Sequence, residues 1–139
     1  LAMNIANEKT TTQMVDWAAA ETQKKTGVSF KGYSFYADRS VDPVRYMLLA
    51  ELEEDIPAER IPEIEAILDE NLNESNEKYF KYRRWGMLAA PKFHVLKKDT
   101  YADYREMLKK QGKVLNQVKP VTVINTPERE EFFLSHIAE

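Results

Sequence analysis

The sequence has no cysteine, only two histidines and only four glycines among its 139 residues. Without cysteine the chain can form no disulfide and offers no thiolate, which is consistent with a reducing compartment. No Gly-x-Ser-x-Gly motif is present either, so nucleophilic catalysis has no candidate residue. None of the glycines lies in a P-loop or a GxGxxG pattern, which excludes the usual phosphate-binding loops. The histidines have no further ligands at zinc-site spacing, so we expect no metal site.

Long apolar runs are also missing, since none approaches the roughly 18 residues that cross a membrane. With no signal peptide, we expect a cytoplasmic protein without a membrane partner. The net charge is −3, from 20 Lys and Arg against 23 Asp and Glu, and this mild acidity argues against a general nucleic-acid binder. The chain starts at Leu1 close to a predicted helix, so we interpret it as a fragment and residues 1–3 as candidates for cloning-derived residues.

What is present is enough for one core: 43% of the residues are hydrophobic, and 139 residues are typical of a single domain. The predicted element order is α β β α α β α β α. We expect an α/β (α+β) fold, with a small mixed sheet of about four strands covered by helices. The central strand is predicted at Arg45–Glu53, because its apolar residues fall on both faces. Before it, the apolar phase of strand Val28–Asp38 switches at Gly32, which predicts a bulge.

The first helix is predicted from about Thr11 to Lys25. Thr10 and Gln13 have the spacing of a capping box, and Met14, Trp17 and Ala18 recur at helical spacing, which predicts an inward face. Residues 4–10 are polar and irregular and indicate a linker. The acidic residues of segments 51–55 and 63–70 are interpreted as a solvated face. Asp99 or Thr100 is expected to cap the helix that follows residue 99.

Four further features have a functional and a structural interpretation. Segment 78–85 (KYFKYRRW) could stack bases and contact phosphates, but the acidity of the domain favours an amphipathic helix that buries Tyr79, Tyr82 or Phe80. Asp38, at a strand end, is either functional or a turn cap. For His94 we favour a structural role over a role as a zinc ligand. Lys9 and Lys119 lie in predicted loops, where a solvated lysine is the default, although Pro120 stiffens the backbone beside Lys119 in a way that suits an anion.

The whole chain resembles the C-terminal domain of the auxin-responsive Gretchen Hagen family of acyl-acid amido synthetases. No single motif is specific, and the resemblance depends on their joint order over about residues 4–136. The matching motifs are Asn7-Glu8-Lys9-Thr10, Tyr36-Ala37-Asp38 with Pro43 and Tyr46, Glu51-Leu52, Asn76-Glu77-x-Tyr79, Arg84-x-Gly86-x-Leu88, Pro91-x-x-His94-Val95-Leu96, Thr100-Tyr101 and Asn116-Gln117-x-Lys119. Val44-Arg45, and the missing arginine after Pro120, depart from the family pattern and indicate a bacterial-type or divergent member.

The resemblance implies a ligase in which an N-terminal domain of the same chain binds ATP, Mg²⁺ and a carboxylic acid. The acid is adenylated and then joined to an amino acid. Residues 1–10 would be the hinge and residues 11–139 a mobile lid without a cofactor or activity of its own. Lys119 is implied as the catalytic lysine and, with Lys9, as a nucleotide contact, while Tyr36 and Asp38 are implied at the domain interface. The alternative is a stand-alone α/β interaction or structural domain, and neither interpretation includes nucleic acid.

Overall fold

The structure, a computed structural model, describes residues 1–114 and 120–138. Within these residues it contains five α-helices, four strands and one 3₁₀ turn, in the predicted order. The helices are α1 (Thr12–Thr26), α2 (Ile61–Ser75), α3 (Glu77–Arg84), α4 (Thr100–Lys110) and α5 (Pro127–Ser135). The strands are β1 (Phe30–Asp38), β2 (Arg45–Leu52), β3 (Lys92–Val95) and β4 (Val123–Ile124), and the 3₁₀ turn is Ala58–Arg60. The predicted mixed α/β fold is therefore confirmed.

The four strands form one mixed sheet in the order β3-β2-β1-β4. The hairpin pair β1 and β2 is antiparallel, whereas β3 joins β2, and β4 joins β1, in parallel. The predicted central strand β2 lies inside the sheet, and it is buried on both faces. Tyr46, Leu48 and Ala50 enter one hydrophobic core, and Met47 and Leu49 enter the other. The double apolar pattern of β2 thus sets a three-layer arrangement.

Each face of the sheet is covered by its own group of helices. One core contains residues of α1, α2 and α3, and includes Val15, Ile64, Leu68 and Tyr79. The other contains residues of α4 and α5, and includes Tyr104, Leu108 and Phe133. The sheet therefore separates two surfaces of the domain, and residues that share a strand can face different helices.

The bulge predicted at Gly32 is confirmed, because the β1–β2 register shifts between Phe30 and Gly32. The shift lets both Phe30 and Tyr33 pack against the core of α1 and α2. On the other side the ring of Tyr101 covers Gly32, and a Cβ added there would lie 2.6 Å from the ring atom Cδ2. The position thus requires glycine because of a close approach.

Two details predicted for α1 are wrong. The capping box is one residue later, with Thr11 as N-cap: its hydroxyl accepts the backbone N–H of Met14, whose sulfur accepts the N–H of Thr11. The inward face is also shifted, because Trp17 is 39% exposed. The prediction is confirmed for Ala18, which is buried together with Val15, Ala19, Thr22 and Thr26.

The predicted solvated acidic face is wrong for Glu51, which is only 2% exposed. Its carboxylate accepts the backbone N–H groups of Asp99 (2.9 Å) and Tyr101 (3.1 Å). Asp99 is the N-cap residue of α4, but its own side chain makes no capping bond. A carboxylate from β2 therefore caps α4, in place of the predicted Asp99 or Thr100.

Two carboxylates of α2 also serve the fold rather than a solvated face. The Asp69 carboxylate accepts hydrogen bonds from both Nε and Nη2 of Arg83, at 2.9 and 2.7 Å. Glu65 accepts the backbone N–H of Phe93 at 2.9 Å. Because β3 is at the edge of the sheet, Glu65 satisfies a donor that would otherwise be free to pair with another chain.

Candidate functional site

The segment before α1, predicted as an irregular linker, is folded onto the domain. Met3 and Thr10 form an antiparallel bridge, and both are buried, at 3% and 1% exposure. Between them the Glu8 carboxylate is completely buried, where it accepts the backbone N–H groups of Ile5 (3.1 Å) and Ala6 (2.7 Å). Residues 3–10 are therefore not the irregular linker predicted from the sequence, and their role as a hinge stays a prediction.

Lys9 is at the tip of this folded segment and is exposed. Its backbone has φ 52°, a left-handed conformation that is uncommon outside glycine. The N–H of Lys9 donates to Oδ1 of Asn4 at 3.0 Å. The lysine that the resemblance implies as a nucleotide contact is therefore carried on ordered backbone.

Tyr36 and Asp38 lie two residues apart on β1 and face the side of the sheet that α5 covers. The Tyr36 hydroxyl donates to Oε1 of Glu130 at 2.5 Å. Burial, and after it this hydrogen bond, raises the pKa of Tyr36 to about 12. Tyr36 is therefore a neutral hydrogen-bond donor at physiological pH, with its proton already engaged.

Asp38 is 4% exposed and is fully engaged at the β1–β2 connection. It accepts the N–H and the hydroxyl of Ser40, at 3.0 and 2.6 Å, and forms an ion pair with Nε of Arg45 at 2.8 Å. Burial alone would raise the pKa of Asp38, but the bonds from Ser40 and Arg45 outweigh it and lower the pKa. The turn-cap interpretation of Asp38 is confirmed, and its place at a domain interface stays a prediction.

Lys119 lies outside the described residues. The chain that follows it is anchored to β1: the N–H of Phe35 donates to the carbonyl of Thr122 at 2.7 Å, and the Ser34 hydroxyl donates to the carbonyl of Val121. Strand β4 then pairs with Phe35 and Tyr36. The described stretch downstream of Lys119 therefore joins the strand that carries Tyr36 and Asp38.

The structure brings Tyr36 and Asp38 together but separates Lys9 from them. The hydroxyl of Thr10, next to Lys9, lies 2.7 Å from the Tyr46 hydroxyl, and Tyr46 belongs to the core of α1 and α2. Tyr36 packs against the opposite core. Lys9 and the Tyr36–Asp38 pair thus belong to different faces of the sheet.

The basic aromatic segment forms helix α3 and the turn after it. Tyr79 is 1% exposed, and Arg83 is engaged by Asp69, as an amphipathic helix requires. Phe80 in the helix, and Trp85 and Met87 after it, are exposed, at 41%, 66% and 46%. The Arg84 guanidinium lies 5.6 Å from the centroid of the Phe80 ring. The amphipathic interpretation is confirmed, with Tyr79 as the buried aromatic residue.

A groove of about 670 Å³ runs beside β3. Its apolar lining includes Leu52, Ile56, Ile61 and Phe93, and Lys92 and His94 also border it. No group of three or more His, Cys, Asp or Glu side chains suited to a metal ion occurs in the described part of the chain. None of the helices there combines the length and the apolar character of a membrane span.

The GH3 family C-terminal domain model matches residues 13–128, which is most of the chain. The chain belongs to the GH3 family, as its C-terminal domain. Solved structures share its fold: one described as GH3.15 acyl acid amido synthetase has a TM-score of 0.72 at 15% identity. A second, described as AtGH3.15 acyl acid amido synthetase in complex with 2,4-DB, has a TM-score of 0.69, also at 15% identity. No curated protein matches the chain.

Each of these alignments covers 91% of this chain and only 23% of the other chain. The GH3 domain described here thus spans less than a quarter of the length of these two chains. The family predicted from the order of short motifs is confirmed.

The buried polar network that contains Glu8, Tyr46 and Asn76 was not predicted from the sequence. The Tyr46 hydroxyl donates to the Glu8 carboxylate at 2.6 Å, and the Asn76 amide donates to Thr10 at 2.9 Å. Burial, and then the bond to Glu8, raises the pKa of Tyr46. In the sequence these three residues share only one feature, a polar group within or beside an apolar pattern. This feature does not show which distant residues will form their hydrogen bonds.

Proposed function

We propose that this GH3 domain is the C-terminal lid of a longer, ATP-dependent acyl-acid amido synthetase. The observation that carries the proposal is the family match over residues 13–128. The similarity to two acyl acid amido synthetase structures, of which the chain spans 23%, is consistent with a large partner domain on the same polypeptide. That N-terminal domain would bind ATP, Mg²⁺ and the carboxylic acid.

The proposed reaction has two steps. The carboxylate of the acid attacks the α-phosphorus of ATP, which gives an acyl-adenylate and releases pyrophosphate. The amine of an amino acid then attacks the acyl carbon, an amide bond forms, and AMP leaves as the amine loses a proton. An acyl-adenylate reacts readily with water, so a closing domain that excludes water protects the intermediate between the steps.

In this scheme the domain contributes charge and closure. Lys119 would face the phosphates during adenylation, where a positioned cation stabilises the charge that develops on the leaving pyrophosphate. Lys9 would contact the nucleotide, and Tyr36 and Asp38 would lie at the interface with the N-terminal domain. The scheme assigns ATP and Mg²⁺ to the N-terminal domain, and the 139-residue chain alone should therefore be inactive.

The proposal is tested by ATP–pyrophosphate exchange on the full-length parent, against a panel of carboxylic acids. We expect exchange that depends on one class of acid, and none from the isolated domain. Exchange by the isolated domain would place the adenylating site within it and refute the division of labour. Absence of exchange with every acid in the panel would refute the assignment of the parent as an adenylating enzyme.

The second candidate is a stand-alone interaction domain, and the exposure of Phe80, Trp85 and Met87 favours it, because large hydrophobic side chains left in solvent can serve as contacts for a partner. The gene context separates the two. An upstream reading frame of roughly 350–400 residues, or two to three domains, continuous with Asn4, supports the ligase. A natural start codon at Met3 supports the interaction domain.

A further inference from the structure

Residues 2–10, shortly before α1, form a loop that is closed by backbone hydrogen bonds between its two ends. The N–H groups of Ala2 and Met3 both donate to the carbonyl of Thr10, at 2.8 and 3.0 Å, and the Thr10 N–H donates to Met3 at 2.8 Å. Inside this loop the backbone N–H of Lys9 donates to the side-chain oxygen of Asn4 at 3.0 Å. A segment with this many backbone bonds has lost the conformational freedom that a linker needs.

The Glu8 carboxylate links this segment to the core of the domain through hydrogen bonds. It is completely buried and accepts three donors, the N–H groups of Ile5 and Ala6 and the hydroxyl of Tyr46. A buried carboxylate is costly unless it is hydrogen-bonded. Dissociation of the segment would break the hydrogen bond between the Tyr46 hydroxyl and the Glu8 carboxylate.

The protons of the network have one consistent arrangement. Tyr46 has a single hydroxyl proton, which goes to the acceptor-only carboxylate of Glu8, so the Thr10 hydroxyl must donate to Tyr46. Asn76 then donates to both Thr10 Oγ1 and the carbonyl of Glu8, at 2.9 Å each. Its carbonyl oxygen accepts the N–H of Lys78, which fixes the orientation of the amide. The chain Asn76–Thr10–Tyr46–Glu8 therefore has every proton assigned.

We propose that residues 3–10 are a rigid clip that moves with the domain, and that Glu8 and Tyr46 are positioning residues for Lys9. The pivot of any rotation then lies before Met3 and not at Lys9. The clip itself depends only on the contacts above. Its role in positioning Lys9 for a nucleotide rests on the proposed function.

Amide hydrogen exchange, measured by NMR on the 139-residue chain, tests the clip without any enzymatic assay. The hydrogen-bonded amides of the segment are those of Ala2, Met3, Ile5, Ala6, Lys9 and Thr10. From Met3 onward, we expect them to exchange at least about a hundredfold more slowly than in an unstructured peptide, as in a docked element. Exchange at the rate of an unstructured peptide from Met3 to Thr10 would overturn the proposal.

The Tyr46→Phe variant removes the hydroxyl that links Glu8 to Thr10. We expect the amides of Ile5, Ala6 and Thr10 to exchange at least about tenfold faster, the ratio at the lower end of the range for one hydrogen bond to a charged group. The matched control is Tyr33→Phe, which removes another hydroxyl bonded to a carboxylate, that of Asp16 at 2.7 Å. An equal effect of the two variants on the clip amides would contradict the proposal.

A milder variant covers the case in which Tyr46→Phe unfolds the domain. Asn4 is exposed, and Asn4→Ala removes only the acceptor of the Lys9 N–H. We expect faster exchange at Lys9, and unchanged exchange at Leu48 and Leu49 in the central strand. Unchanged exchange at Lys9 would show that the bond to Asn4 is not formed and would count against an ordered tip.

The positioning role is tested in the full-length parent by a double-mutant cycle on pyrophosphate exchange. We expect Lys9→Ala and Tyr46→Phe each to slow exchange, and the double variant to be no slower than Lys9→Ala alone, because Tyr46 acts through Lys9. Additive losses would refute positioning. If Lys9→Ala has no effect while the clip amides are protected, the nucleotide contact of Lys9 is refuted and the clip stands.

Discussion

Replacing Glu51 with alanine should destabilise the domain by about 3 kcal/mol. The carboxylate is buried at 2% exposure and accepts two backbone N–H groups at the start of α4, those of Asp99 and Tyr101. Hydrogen bonds to a charged group contribute about 1.5–3 kcal/mol each. Neither Asp99 nor Tyr101 is a buried residue, so we take the lower end of that range for each of the two bonds.

The Glu51→Gln variant removes the charge of the side chain but keeps its shape, so it measures how much of the stabilisation depends on the charge. The glutamine keeps one carbonyl oxygen, which can accept one of the two N–H groups, while its amide NH₂ faces the other. We expect a loss of about half that of alanine, since one acceptor remains.

The assay is urea unfolding followed by circular dichroism, with the free energy of unfolding extrapolated to water. Glu54→Ala is the matched control, because Glu54 is an exposed acid a few residues away, and its replacement should change the free energy by less than about 0.5 kcal/mol. A change that small for Glu51→Ala would refute the capping of α4 by Glu51.

Two further predictions concern β1. Gly32→Ala should destabilise the domain by about 1–3 kcal/mol, because the new Cβ would meet the Tyr101 ring; an unchanged urea midpoint would contradict the close approach. Asp38→Asn should cost about 1 kcal/mol at pH 7, from the weakened bond to Arg45. Because folding lowers the pKa of Asp38, its contribution is complete above the ordinary pKa of about 3.9 and is lost as the pH falls further. Unfolding of both proteins between pH 2 and 7 measures this difference, and a gap that widens toward acid would reverse the sign and exclude the assignment.

Features set by neighbouring residues could be predicted from the sequence. The apolar residues on both faces of β2 predicted an internal strand, and the change of phase at Gly32 predicted the bulge, because a strand exposes its pattern every second residue. The order of short motifs predicted the family. In each case the determining residues are close together or their order alone carries the signal.

Features set by distant residues could not be predicted. Glu51 caps a helix whose first N–H groups are 48 and 50 residues away, and Glu8 binds Tyr46 across 38 residues. Each carboxylate has the sequence context of a surface acid, and only the folded chain supplies its partners. The shift of the α1 cap from Thr10 to Thr11 has the same origin, because the buried network engages the Thr10 hydroxyl.

The most direct test of the central claim is the rate of ATP–pyrophosphate exchange by the full-length parent carrying Lys119→Ala. The matched control is Lys113→Ala, which removes an exposed lysine shortly after α4. If this domain supplies a cation to the phosphates, Lys119→Ala should slow exchange by roughly 10²- to 10³-fold, the scale for losing one donor to a transition state, and Lys113→Ala should not. A loss below about threefold for Lys119→Ala, less than 1 kcal/mol of activation free energy, would contradict the account.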